Sequence, residues 1–179
     1  MKSNKLIFFF VCLFFILSTS CKTNDNEDFI ADWKVKNETY FANMKDNVGY
    51  VLYTIPISRG GGSYYYKIIS AGDTNSLSPT FNDFVKVNYR GKLIDGRVFD
   101  QSYIGDTFPN DSTGTELTIE VNKLIKGWTE NLMQMKPGEK RRIVLPQELG
   151  YGGTYVSNLL LPYSTTIFDI QLIAFYDRD

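Results

Sequence analysis

Apolar positions fall into three rhythms along this chain, and each predicts a different kind of element. Residues 6–17 are continuously apolar, preceded by Lys2 and Lys5 and followed by the small residues Ser18, Thr19 and Ser20. That run is shorter than the roughly 20 apolar residues a membrane span needs; a basic start, short apolar core and small-residue end are the plan of a secretory signal. Between 28 and about 47, Phe29, Ile30, Trp33, Tyr40, Phe41 and Met44 recur mostly at helical spacing, interrupted once by the polar Asn37. This predicts an amphipathic helix with Asp28 as its N-cap that fades before Gly49, its stripe docking on the domain behind it or pairing with a second copy.

Further along, the rhythm shortens to two. Residues 51–57 read as a short strand closed by Gly60, Gly61 and Gly62, a run followed by none of the Lys-Ser/Thr of a phosphate loop. The aromatic and β-branched stretch 64–70 is a strand turned by Ala71, Gly72 and Asp73. Over 84–93, Val85, Val87 and Tyr89 alternate with Lys86, Asn88 and Arg90, which puts Tyr89 on the core side with the valines. Asp95-Gly96 signals a hairpin returning into 97–100. Residues 101–114 carry little to bury and read as a loop, after which Leu117, Ile119 and Val121 resume a strand. A short helix follows with Trp128, Leu132 and Met135 at i, i+4 and i+7, ended by Pro137-Gly138. Residues 140–145 form another strand, and over 165–175 Phe168, Ile170, Leu172 and Ala174 share one face. The fold class is α+β: a curled antiparallel β-sheet wrapped over a short central helix, with an N-terminal helical extension.

Composition narrows the chemistry. With 179 residues, 43% hydrophobic and 22% charged, the chain supports one domain plus an appendage. Its net charge of -1, with Lys and Arg scattered, carries no footprint for nucleic acid. Histidine is absent, which removes the commonest general base and metal ligand, so no metal site or cofactor is expected. Both cysteines, Cys12 and Cys21, precede the folded part, leaving it without thiol or disulfide chemistry. Cys21 directly follows the small residues and resembles the lipidated cysteine of a bacterial lipoprotein, with Leu17 four residues ahead of it. An uncleaved anchor and an ordinary secretory signal are the other readings of that segment. The polar residues 22–28 have nothing to bury and read as a flexible tether.

The order Val87-x-Tyr89-x-Gly91, Asp95-Gly96-x-x-Phe99-Asp100, Leu124-Ile125-x-Gly127-Trp128, Met135-x-Pro137-Gly138-Glu139, Tyr151-Gly152, Pro162 and Phe168-Asp169-Ile170 resembles FKBP-type peptidyl-prolyl cis-trans isomerases along residues 64–179. The domain plan is then a signal at 1–20, a tether at 21–28, a helix and strand extension at 29–63 and the isomerase domain at 64–179. The resemblance implies that Trp128 floors a pocket for the substrate proline, with Tyr89, Phe99, Leu124, Ile125 and Phe168 as walls. Tyr151 would give its hydroxyl, and Ile125 its backbone N–H, to substrate carbonyls. Asp100 would orient its polar and aromatic neighbours, and Leu160 would come from an overhanging loop. Asp169 is expected on the opposite strand face, solvated. Two departures bear on substrate preference: Thr115 stands where a third aromatic wall is expected, and Val156-Ser157-Asn158 occupies the overhanging loop.

The implied partners are proline-containing segments of exported proteins and a bacterial membrane, through lipid on Cys21; the location is extracytoplasmic, at an outer membrane facing periplasm or surface. A homodimer through the N-terminal arm is conceivable. The competing reading is a chaperone or assembly lipoprotein of low or no turnover that holds extended chains in the same groove.

Overall fold

A computed structural model describes residues 25–109 and 115–177. The signal segment, Cys12, the lipidation expected at Cys21 and residues 21–24 of the tether lie outside the described residues. The chain runs through α1 (Asp25–Asn43), β1 (Val51–Thr54), β2 (Ser63–Ser70), β3 (Phe84–Leu93), β4 (Val98–Gln101), β5 (Leu117–Glu120), α2 (Lys126–Leu132), β6 (Lys140–Leu145) and β7 (Thr166–Tyr176). Seven strands form one sheet in the order β1-β2-β6-β7-β3-β4, with β5 also paired to β3. Every pairing is antiparallel.

Alternation divides the sheet's side chains between two faces. Tyr64, Val87, Ile143, Phe168, Ile170 and Leu172 point inward onto Trp128, Leu132 and Met135, forming the main core beneath α2. Their sequence neighbours Tyr65, Val144 and Ile167 point outward, where Met44, Tyr40 and Phe41 of the N-terminal arm cover them. The sheet is thus covered on both faces, by α2 inside and α1 outside. Trp33 and Met44 are buried against the arm's own domain, so part of the stripe docks on the domain behind it, while Phe29 and Val35 of the same helix stay exposed.

Several expectations are corrected by particular contacts. α1 begins at Asp25, so Asp28 lies inside the helix rather than at its cap, and residues 25–28 are helical rather than tether. Asn37, an interruption in the sequence pattern, is fully buried in this helix. The loop after β4 does bury a side chain: Tyr103 is 5% exposed. The Arg90 guanidinium stacks on its ring at 5.0 Å and donates to the carbonyls of Gly105 and Asp106 at 2.6 and 2.7 Å. α2 ends at Leu132, ahead of Pro137, although Met135 still reaches the core.

In β7, pairing with β3 slips between Lys86↔Ala174 and Val87↔Leu172. Ile173 is the extra residue of this bulge, so Phe175 faces the core opposite Val85 while Ala174 faces out with Lys86. Asp169 does occupy the outer face, but it is buried rather than solvated. Arg142 grips it in two hydrogen bonds of 2.6 and 2.9 Å, with Lys92 3.5 Å away.

Candidate active site

Three locally determined positions bring the aromatic residues together. On β3, Tyr89 faces inward as the alternation requires, its ring 5.1 Å from that of Trp128 in an edge-to-face contact. On β4, the register against β3 passes from Gly91↔Asp100 to Lys92↔Val98, leaving Phe99 as an inserted residue. A bulge turns consecutive side chains toward one side. Phe99 accordingly meets Phe168 and Tyr151 at ring distances of 5.5 and 6.2 Å, while Asp100 accepts the Tyr89 hydroxyl at 2.7 Å. Strict alternation would have sent one of the two to the other face.

Trp128 sits in the first turn of α2. The Ile125 carbonyl accepts from the N–H groups of Trp128 and Thr129 at 3.0 and 3.1 Å, and the Thr129 hydroxyl donates to the Val121 carbonyl at 2.8 Å, which fixes the turn entering the helix. Gly127 lets the helix lie close on the sheet, since a Cβ there would stand 2.5 Å from a Leu145 methyl. Phe168 closes the floor at 5.1 Å from Trp128, again edge to face. Such edge-to-face rings lock one another's orientation.

These side chains line a cavity of about 200 Å³ floored by Trp128 and walled by Tyr89, Leu124, Ile125, Tyr151 and Phe168, with Asp100 exposed at its mouth. Larger hollows flank α1, one of about 400 Å³ reaching Phe41 and Leu149. Size does not locate the site here; convergence of aromatic walls and free donors does. No acceptor among the described residues takes the Tyr151 hydroxyl or the Ile125 N–H. The buried Trp128 indole N–H is likewise without a partner.

Burial pushes the Tyr89 hydroxyl's pKa well above its ordinary value, and the hydrogen bond to the Asp100 carboxylate raises it further. Tyr151 is raised by burial and then by the Asp100 charge. Both phenols therefore keep their protons at neutral pH and act as donors.

Of the sequence-predicted residues, Tyr89, Asp100, Leu124, Ile125, Trp128, Tyr151 and Phe168 meet around this one cavity, with Phe99 packed behind Tyr151 and Phe168. Leu160 does not overhang it: the side chain is buried in a separate cluster with Trp33 and Leu93, behind Phe99 and Tyr151. Two lining residues escaped sequence reasoning. Leu117 supplies a wall near where the exposed Thr115 does not, and Lys123 stands at the rim. The alternation of Leu117 with Ile119 and Val121 was the available signal for the first; nothing marked Lys123.

Residues 76–173 match the family described as FKBP-type peptidyl-prolyl cis-trans isomerase. The chain belongs to the FKBP-type peptidyl-prolyl cis-trans isomerase family. It is 40% identical over 109 residues to the peptidyl-prolyl cis-trans isomerase Mip of Coxiella burnetii, covering 61% of this chain and 43% of that one. The outer membrane protein MIP of Legionella longbeachae is 34% identical over 141 residues, covering 79% of this chain and 53% of the other. The chain thus spans about half the length of these relatives, or less. The crystal structure of FkpA from Escherichia coli superposes with a TM-score of 0.68 at 31% identity, over 86% of this chain and 63% of that one.

The match covers every residue lining the cavity, so the aromatic cradle is the FKBP-type domain's own hollow. Among the described residues no group of acidic or thiol side chains is arranged to hold a metal ion. What the arrangement offers a ligand is shape, apolar walls and uncharged donors, with Asp100 and Lys123 at the rim.

Proposed function

We propose that this protein is a peptidyl-prolyl cis-trans isomerase acting on proline-containing segments of exported polypeptides. The observation that carries the reading is the meeting of an apolar aromatic cavity with two donors that have no partner among the described residues, the Tyr151 hydroxyl and the Ile125 N–H. An X-Pro amide turns over a barrier of about 18–20 kcal/mol set by resonance, and uncatalysed exchange takes tens to hundreds of seconds. At the top of the barrier the amide is twisted and its dipole reduced, so an apolar cavity favours it over the planar, well-solvated ground state.

The proline ring rests on Trp128 between Tyr89 and Phe168. The Ile125 N–H and Tyr151 hydroxyl hold carbonyls on either side of the rotating bond. Asp100 accepts the Tyr89 hydroxyl and so fixes that ring against Trp128. No proton changes hands. Catalysis is the tighter binding of the twisted form, and each tenfold in rate needs about 1.4 kcal/mol of difference.

We place the protein outside the cytoplasm, tethered to a bacterial membrane through lipid on Cys21. The supports are the signal-like residues 1–20, the cysteine after them, and an outer membrane protein among the relatives. Among the described residues no helix is long and apolar enough to cross a membrane. The deciding experiment is NMR exchange or a protease-coupled assay on X-Pro peptides. Phe99→Ala combined with Asp100→Ala is expected to abolish turnover in a folded protein; unchanged activity in that double variant sinks the catalytic assignment.

A further inference from the structure

The wall that holds Tyr151 is fastened from behind by the N-terminal helix. Trp33 and Asn37, one turn apart on α1, both reach the turn 163–165. The Trp33 indole N–H donates to the Ser164 hydroxyl at 3.1 Å, and that hydroxyl donates to the Leu161 carbonyl at 2.7 Å. The Asn37 side-chain oxygen accepts the Thr165 N–H at 2.8 Å, while its backbone carbonyl accepts the Thr165 hydroxyl at 3.0 Å. The Asn37 amide nitrogen donates back to the Trp33 carbonyl at 2.8 Å, tying the two residues into one clamp.

A buried amide inside an otherwise apolar stripe is unfavourable unless its hydrogen bonds are met, and here each partner belongs to α1 or to this turn. The turn itself needs holding. Tyr163 has a left-handed backbone, φ 63°, without being glycine, a conformation that persists only where surroundings over-determine it. Its ring lies under the Lys34 ammonium at 4.9 Å, and its N–H bonds the Gly152 carbonyl at 2.8 Å, one residue from Tyr151. From the other side, Trp33 packs with Leu160 and Leu93 in the cluster on which Phe99 and Tyr151 rest.

We propose that Trp33 and Asn37 are positioning residues of the isomerase site. Through the 160–165 turn, α1 sets the pose of Tyr151 and Phe99, so the arm ahead of the domain is a working part of the pocket wall. This rests on the isomerase reading above. It makes the geometry of the donor at Tyr151 depend on contacts more than a hundred residues away in sequence.

The test uses the full chain with Asn37→Ala, Thr165→Val and Thr165→Ser. Met44→Ala is the control, because it loosens the same arm over the outer sheet face, away from the cavity. In NMR exchange on an X-Pro peptide, Asn37→Ala and Thr165→Val are expected to lower kcat/KM about tenfold, mostly through kcat. Thr165→Ser, which keeps the hydroxyl, stays near wild type, and Met44→Ala stays within about twofold at comparable loss of thermal stability. The ring resonances of Tyr151 and Phe99 shift in Asn37→Ala and Thr165→Val but not in Met44→Ala.

Trp33→Phe leaves Trp128 as the sole tryptophan of the two in the chain, so its emission then reports the cavity directly and is expected to change on adding Asn37→Ala. If Asn37→Ala does not fold, the Thr165 pair carries the comparison. Folded Asn37→Ala or Thr165→Val proteins with wild-type kcat/KM and unmoved rings overturn the proposal, as does a loss no greater than that of Met44→Ala. If the wild-type protein shows no turnover, the isomerase reading fails by itself, and the ring shifts still decide whether the clamp poses the wall.

Discussion

Gly91 sits opposite Asp100 at the bulge between β3 and the edge strand β4, where a Cβ would lie 2.7 Å from the tip of Phe99 and 2.8 Å from the Phe168 ring. Neither ring has room to retreat, since both are already in edge-to-face contact with their neighbours. Gly91→Ala is therefore expected to cost about 1–3 kcal/mol of stability by overpacking, read as a lower urea midpoint, and to cut isomerisation at least tenfold by displacing the Phe168 wall together with Phe99 packed behind it. Three buried or half-buried tyrosines, two of the pocket and one of the core, make a prediction of opposite character. The folded-state pKa values of Tyr64, Tyr89 and Tyr151 are raised, each first by burial. The folded state thus holds these protons where an unfolded tyrosine begins to lose them, at about pH 10. The associated stability is complete below that value and declines as pH rises above it. Denaturation midpoints should be level from pH 7 to 9 and fall beyond about pH 10, with Tyr64→Phe and Tyr89→Phe each reducing the slope.

Among the elements, those with a clean period were legible residue by residue. β3 and β6 occupy the predicted spans 84–93 and 140–145, because alternation is set by the pleat and bounded by turn residues on either side. What stayed hidden were the places where two strands disagree in length. The bulge at Phe99 and the one in β7 are properties of a pair, so no single strand's pattern contains them. Likewise, the polar side chains Asn37 and Asp169 read as an interruption and a solvated charge because their partners, Thr165 and Arg142, are distant in sequence. The arm's packing is open to direct measurement. Met44 is 3% exposed beneath the outer sheet face, and Met44→Ala is expected to cost about 2–4 kcal/mol in urea unfolding. An unchanged midpoint would mean that α1 does not dock on the sheet.

At the scale of the whole molecule, most of the candidate site is legible in the sequence, since the aromatic residues and their spacing carry the family resemblance. Leu160 was misplaced because a loop's overhang depends on what packs behind it, here Trp33 of the arm. A site built from apolar walls and neutral donors also has a solution signature. Turnover should be indifferent to chelators and flat from about pH 7 to 9, while Tyr89 and Tyr151 remain protonated; a rate that falls on adding EDTA would contradict the mechanism.

One edge of the sheet is β1, a strand of four residues that stops short of Pro56, which has no N–H to offer, and is followed by a 3₁₀ turn and the glycines that lead into β2. Long open edges recruit other chains, and short, interrupted ones do not. For the isomerase proposed above, which would meet extended polypeptides, such an edge keeps the protein from serving as a template on which those polypeptides polymerise.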